Sequence, residues 1–309
     1  MNKKLIALAV AGALAAPMAA QAEGVSVSGF ADIFWTITDE SADTGTPVYN
    51  PAEGQFTVPE TEVDFMGSGV RVDLDNVNGS GDINVEQANF TYDFGNGWAV
   101  MGGTFNSGIT ADAQDAPDMQ TSNNSLPFAT LSAVGAANLS GLAVSGMAGP
   151  ANVTVLYVND PSNDGVSDGE NSIGLKVSGS VMEGLDLELG FLPQDKGVGN
   201  LTDFNAMYTM GGLGIGLDYL QADPQSGSGD VDTVSSIIVG YDFGNGFGVK
   251  GRADTLTYED NTDDLTQNSI FVSYAANDNL TVALDSTTVD GGVLTDSQTK
   301  TTVEMIATF

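Results

Sequence analysis

Tyr241-Asp242-Phe243-Gly244-Asn245-Gly246-Phe247 runs straight into Gly248-Val249-Lys250-Gly251-Arg252-Ala253-Asp254. The first seven residues read as a tight hairpin turn, because Asn-Gly supplies the positive φ angles that such a turn needs. The residues after it alternate. Phe247, Val249, Gly251 and Ala253 fall on one parity, and Lys250, Arg252 and Asp254 fall on the other. Successive side chains of a strand point to opposite faces, so this spacing describes a strand with one apolar or small face and one charged face.

The same signal recurs on either side. Tyr92-Asp93-Phe94-Gly95-Asn96-Gly97-Trp98 repeats the turn almost residue for residue. Ile173, Leu175 and Val177 alternate with Gly174, Lys176 and Ser178, and Leu185, Leu187, Leu189 and Phe191 with Asp186, Glu188 and Gly190. Leu280, Val282 and Leu284 alternate with Thr281, Ala283 and Asp285; Val303, Met305, Ala307 and Phe309 alternate with Thr302, Glu304 and Thr308, with Ile306 out of pattern. Such strands also suit a soluble sandwich, and the connections separate the two readings. Short turns are expected near 66–69, 95–97, 149–151, 182–184, 211–213, 244–246 and 276–279. Longer polar, acidic loops are expected near 39–57, 76–81, 106–138, 159–171, 193–200, 223–232, 259–265 and 290–299. Eight loops and seven turns join sixteen strands, with both termini on the short side, which is the arrangement of an outer-membrane barrel. Aromatic rings at alternate positions around the turns belong at a membrane interface.

The expected fold is therefore all-β: a transmembrane antiparallel β-barrel of about 16 strands, with 12 and 18 as outer bounds, short periplasmic turns and longer extracellular loops. Parity breaks between Phe65 and Val70 and between Val85 and Ala88, the marks of bulges or of misplaced strands. The stretch 128–149 is rich in Gly, Ala and Ser and is interrupted by Asn138 and Gly141, so it reads as loop plus strand.

Composition closes off other classes. The 309 residues hold 41 Asp plus Glu against 8 Lys plus Arg, with no His and no Cys. Without His or Cys there is no Ser-His or Cys-His nucleophilic site and no zinc site of nitrogen and sulfur ligands. A net charge of −33 argues against nucleic acid, which is bound by Lys and Arg neutralising phosphates. Residues 1–22 carry Lys3 and Lys4, an apolar run from Leu5 to Ala16, and Ala20-Gln21-Ala22, the pattern of a secretory signal with its cleavage site. Residues 23–309 are then the barrel, in which 41 acids face six bases: Arg71, Lys176, Lys196, Lys250, Arg252 and Lys300.

Two motifs invite other chemistry and are set aside. Asp160, Asn163, Asp164, Gly165, Asp168 and Glu170 resemble a calcium loop, but the twelfth position from Asp160 is Asn171 rather than the bidentate Glu such a loop requires. Gly211-Gly212-Leu213-Gly214-Ile215-Gly216 has no helix after it to complete a dinucleotide cradle. No cofactor and no confident metal site is expected. Loose divalent binding by the 160–170 loop, or by Glu259, Asp260, Asp263 and Asp264, remains open.

The signal segment, the alternating strands and the terminal Phe309 resemble the Gram-negative outer-membrane porins. More narrowly, Val85-Glu86-Gln87-Ala88-Asn89-Phe90, the Gly-Asn-Gly turn, Met101-Gly102-Gly103-Thr104-Phe105 and Leu139-Ser140-Gly141-Leu142 are similar to a β-barrel porin family in which a Glu-Gln-Ala strand, a tight turn and a strand ending Ala-Gly-Lys/Arg-Phe recur in that order. The chain departs at Gly103-Thr104, where that family has Gly followed by a base, and it lacks a Pro-Phe-Gly after Phe105. The resemblance implies a passive diffusion channel for small hydrophilic solutes, not an enzyme. It implies contact with outer-membrane lipid and lipopolysaccharide, reading of Phe309 by the barrel-assembly machinery, and a homotrimer. The acidic excess adds a preference for cations, with Asp32, Asp73, Asp186, Asp218 and Asp285 on polar parities. Expected channel-lining residues are Arg71, Lys176, Lys250, Arg252 and Asp254 on the wall and Asp112, Asp115 and Asp118 on the longest loop. The rival reading is a non-conducting structural or adhesive barrel whose acidic loops bind divalent ions. An outer-membrane hydrolase is a further alternative, and it lacks the His such barrels employ.

Overall fold

The computed structural model describes residues 24–39, 54, 56–77, 82–159, 171–194, 200–223, 231–260, 262–292, 294 and 296–309. Residues 1–22, expected as an export signal, and the calcium-like stretch 160–170 lie outside these residues, as does Lys196. Among the described residues, sixteen antiparallel strands follow one another around a closed barrel. They are β1 Val25–Asp39, β2 Phe56–Gly67, β3 Val70–Val77, β4 Asn84–Asp93, β5 Trp98–Asn106 and β6 Asn138–Ala148. Then come β7 Ala151–Asn159, β8 Asn171–Met182, β9 Leu185–Leu192, β10 Asn200–Met210 and β11 Leu213–Asp223. The circuit ends with β12 Val231–Asp242, β13 Phe247–Tyr258, β14 Asp263–Asn277, β15 Leu280–Gly292 and β16 Gln298–Thr308. A helix, α1, covers Leu126–Ala133 between β5 and β6. The ring closes where β1 pairs with β16, Phe30 opposite Thr308 and Thr36 opposite Thr302. Closure gives every strand two partners, which a backbone surrounded by lipid requires.

All seven short connections fall where the alternation breaks: 68–69, 94–97, 149–150, 183–184, 211–212, 243–246 and 278–279. They share one end of the barrel, and the longest connection, 107–137, leaves from the other. The apolar parity faces outward. Ile173, Leu189, Phe191, Phe247, Ile270 and Leu284 are exposed on the outer surface, whereas Asp203, Asp218, Arg252, Asp254, Asp285 and Glu304 are buried inside. A lipid-facing charge costs roughly 2 to 4 kcal/mol at mid-membrane, so this assignment of faces fixes the register of each strand.

The two repeated turns differ from expectation in detail. Positive φ occurs at Gly95 and Gly97 (76° and 82°) and at Gly244 and Gly246 (73° and 87°), not at the asparagines. Asp93 and Asp242 instead accept the Gly95 and Gly244 N–H groups at 2.7 Å, and Asn96 and Asn245 accept those of Trp98 and Phe247 at 3.3 and 3.2 Å. These side chains brace the turn while glycine alone takes the left-handed backbone. Tyr92 meets Phe94 edge-on at 5.3 Å, Tyr241 meets Phe243 at 5.0 Å, and Phe247 lies against Tyr274 at 4.5 Å.

Both parity breaks have local causes. Asp73 is opposite Gln87 and Leu74 opposite Val85, so Glu86 is the extra residue of a bulge in β4. The break between Phe65 and Val70 is the hairpin itself, with Gly67 paired to Val70 across Ser68-Gly69.

The interior requires two corrections. Leu156, Val158, Leu192, Leu201, Leu220, Val234 and Leu256 occupy inner positions near the loop end, so the inner parity does not face water throughout. They pack against Ile109, Leu126, Leu131 and Val134 of the long connection, forming an apolar core within the barrel. Ile306, out of pattern in sequence, points inward to Phe30, Ala116 and Met119. The stretch expected as loop plus strand, 128–149, holds the strand β6, but its first residues, through Ala133, belong to α1. Ser125 caps that helix, its Oγ accepting the Phe128 N–H at 3.3 Å, and Pro127 stands in its first turn. Leu126, Pro127, Phe128, Thr130 and Leu131 are all buried, so no single apolar stripe announces the helix.

Candidate functional site

The connection 107–137 folds into the lumen and touches most of the wall. Near its start, the Lys176 ammonium on β8 donates to the Gly108 carbonyl at 3.0 Å, and the Ala111 N–H donates to Asp218 on β11 at 2.7 Å. Its middle reaches the other side of the barrel, where Gln114 donates to Glu86 and the Ala116 N–H donates to Glu60 on β2 at 3.3 Å. On the return, Ser122 donates to Glu304 on β16 at 2.6 Å and Asn123 donates to Asp285 on β15 at 3.2 Å. The Leu126 N–H then donates to Asp254 on β13 at 3.2 Å, and α1 rests on β11, β12 and β13. Wall carboxylates thus receive loop N–H, amide and hydroxyl donors, the charge-assisted bonds that carry most energy.

Arg252 is the centre of this contact. Its guanidinium lies 3.4 Å from Asp112 on the loop and 3.1 Å from Asp254 on its own strand, with all three side chains fully buried. It also donates to the Asn124 carbonyl at 2.9 Å. Asp112 in turn accepts the N–H groups of Gln120 at 3.0 Å and Ser125 at 2.6 Å, so one carboxylate closes the loop on itself while pairing with the wall.

The other expected lining residues are distributed unequally. Lys250, two residues before Arg252, stands 5.5 Å from the Phe271 ring and borders a cavity of about 320 Å³ toward the turn end, together with Met119, Glu304 and Ile306. Lys176 pairs with Glu188 at 3.3 Å. Arg71 pairs with Asp73 at 2.7 Å and Asp64 at 3.5 Å, and borders a second cavity of about 450 Å³ with Gln87, Asn89 and Phe105. Asp115 sits on the loop near this acidic part of the wall, where burial and the neighbouring Glu86 push its carboxyl up to about 7. Asp118 is exposed, and its N–H donates to the Asp115 carbonyl at 2.9 Å. The structure therefore brings Arg252, Asp254 and Asp112 together in a buried anchor, places Lys250 and Arg71 beside open space, and gives Asp118 no ion pair among the described residues. Asp260 accepts the Thr262 N–H at 2.8 Å, and the carboxylate groups close enough to share an ion, among the described residues, lie elsewhere.

Residue-by-residue reading missed Glu60 and Glu62. Val58-Pro59-Glu60-Thr61-Glu62-Val63-Asp64 does carry the signal, since Glu60, Glu62 and Asp64 share a parity, and an acid at every second position marks a polar strand face.

A closed sixteen-stranded barrel with an apolar outer face and a loop folded through its lumen defines the class of outer-membrane channel barrels. A family model described as Gram-negative porin matches residues 7–308, and the chain belongs to that family. It is an outer-membrane protein, and family and fold point to a channel rather than an enzyme. Among solved structures it is similar to a loop-deletion mutant of OmpT, an outer membrane protein of Vibrio cholerae, with a TM-score of 0.66 at 15% identity over 92% of this chain and 99% of that one. A mutant of the Rh. blastica porin gives 0.61 at 16% identity, covering 92% and 100%. The anion-selective porin from Comamonas acidovorans gives 0.58 at 13%, covering 92% and 99%. At these identities the likeness concerns the fold. No curated protein matches the chain.

Proposed function

We propose that this porin is a passive diffusion channel for small hydrophilic solutes, that it prefers cations, and that the connection 107–137 sets its narrowest section. The observation that carries the reading is the balance of charge on the inner face. Asp32, Glu62, Asp73, Asp75, Asp203, Asp218, Asp254, Asp285 and Glu304 are buried there with the single buried base Arg252 among the described residues, and the bases at the open cavities are Lys250 and Arg71. Fixed negative charge in a low-dielectric passage raises the local concentration of cations and lowers that of anions. Reconstitution into a planar bilayer tests the reading: stepwise currents with a cation-directed reversal potential support it. Silence would leave the non-conducting barrel, and an anion-directed potential would remove the preference.

Residues 1–22 serve as the export signal in this reading, so the N-terminus of the protein extracted from outer membranes should be Glu23. The terminal segment supports recognition by the assembly machinery: the Phe309 N–H donates to the Gly29 carbonyl at 3.0 Å, and its ring covers Gly29 at the barrel seam. Lipopolysaccharide contact by the outer surface and association as a homotrimer complete the reading.

A further inference from the structure

The acid-rich stretch of β2 meets the tip of the long loop beside Arg71, whose ion pairs are with Asp64 and Asp73. We propose that Glu60, Glu62 and Asp115 form a Ca²⁺ site that clasps the loop to the barrel wall.

The geometry comes first. One carboxylate oxygen from each of the three lies within 4.8 Å of the others. Calcium binds oxygen at about 2.3 to 2.6 Å, so two oxygens on opposite sides of one ion stand roughly 4.6 to 5.2 Å apart. Three oxygens inside that span can share an ion with modest adjustment. Magnesium, at about 2.0 to 2.1 Å in a rigid octahedron, needs a tighter cage.

Burial supplies an independent argument. Glu62 is 2% exposed, and its Oε2 has no hydrogen-bond partner. Asp115 likewise leaves Oδ1 without one. A carboxylate removed from water needs a counter-charge or a full set of donors, and here neither is complete. Arg71 is the base nearby, but its guanidinium pairs with Asp73 and Asp64, which leaves no ion pair among the described residues on Glu60, Glu62 or Asp115. A second trio, Glu62, Asp64 and Asp73, is equally close, yet Arg71 and the Ser28 hydroxyl already serve two of its members. The trio without an ion pair is therefore the better site for a divalent ion.

Its position gives it a consequence. Glu60 and Glu62 belong to the wall and Asp115 to the loop, so a shared ion fixes the loop to β2. Arg252 fixes the same loop to β13, five strands away around the ring. The Ala116 N–H already donates to Glu60 at 3.3 Å, which holds the loop tip beside the proposed ligands.

Equilibrium dialysis of the detergent-purified full chain against ⁴⁵Ca²⁺ tests the site without reference to conductance, so its failure is distinct from failure of the channel reading. Glu62→Gln and Asp115→Asn are compared with the unaltered chain, after heat-modifiable electrophoretic mobility has shown each barrel folded. Each variant should bind one Ca²⁺ fewer per chain, and Mg²⁺ at equal concentration should not displace that ion. Glu62 lies in a strand and its variant is the more exposed to misfolding; Asp115→Asn alters only the loop and decides the matter alone. Equal stoichiometry and affinity in the unaltered chain and folded Asp115→Asn would overturn the site, and displacement by Mg²⁺ as readily as by Ca²⁺ would overturn the choice of ion.

Discussion

Lys250 and Arg252 lie on one strand and one face, two residues apart, and the structure gives them different work. Arg252 is sealed between loop and wall against Asp112 and Asp254, whereas Lys250 borders a cavity. Removing one member of a buried ionic group costs about 3 to 5 kcal/mol, because its partners stay behind uncompensated. Arg252→Ser should therefore release the loop: single-channel conductance should rise and become noisy, while heat-modifiable mobility shows the sixteen-stranded wall still folded. Steady, unchanged currents would show that the apolar seat of α1 holds the loop by itself. Lys250→Ser removes a charge from the cavity wall without opening a buried group, so it should shift the reversal potential further toward cations at nearly unchanged conductance. The shared inward face of the two bases was legible from the alternation. Their difference in depth was not, because strand period identifies a face and says nothing about which part of it another segment covers.

At the level of elements, the connections were the most legible part of the chain. A hairpin turn needs glycine or a bracing Asx side chain at fixed offsets, so each interruption of the alternation carries its own chemical signature. The seven turn positions follow from that. Helix α1 was hidden for the converse reason: it is enclosed by β11, β12, β13 and the rest of the loop, and enclosure removes the one-sided pattern by which a helix is recognised in sequence. The two ends of the barrel make a test of orientation. A thiol introduced by Asn96→Cys, in the 94–97 turn, should stay unlabelled by an impermeant reagent added to intact cells, while Asp164→Cys, in the long interval between β7 and β8, should react. Labelling at position 96 with silence at 164 would invert the barrel.

For the molecule as a whole, the sign of selectivity is set by charge placement and not by architecture. The anion-selective porin from Comamonas acidovorans shares this fold at 13% identity, so the barrel by itself does not dictate a preference for cations. Here 41 acids stand against 8 bases in the full sequence, and two of those bases, Lys3 and Lys4, lie in the segment proposed as the export signal. Part of that acidity is offset where it lies: Arg71, Lys176 and Arg252 pair with Asp64, Asp73, Glu188, Asp112 and Asp254. What remains acts through solution and is screened over about 10 Å at 0.1 M salt and about 3 Å at 1 M. In a passage narrowed by the loop, the field of the wall carboxylates reaches further across at the first distance than at the second. Cation preference should thus be pronounced at 0.1 M KCl and decline steadily toward 1 M. The bilayer reversal potential, measured under a fixed concentration ratio while both baths are raised together, reads this directly. A preference that stayed constant with salt would place selection at direct contact with a few side chains instead of in the field of the lumen, and a preference for anions at low salt would contradict the charge argument altogether.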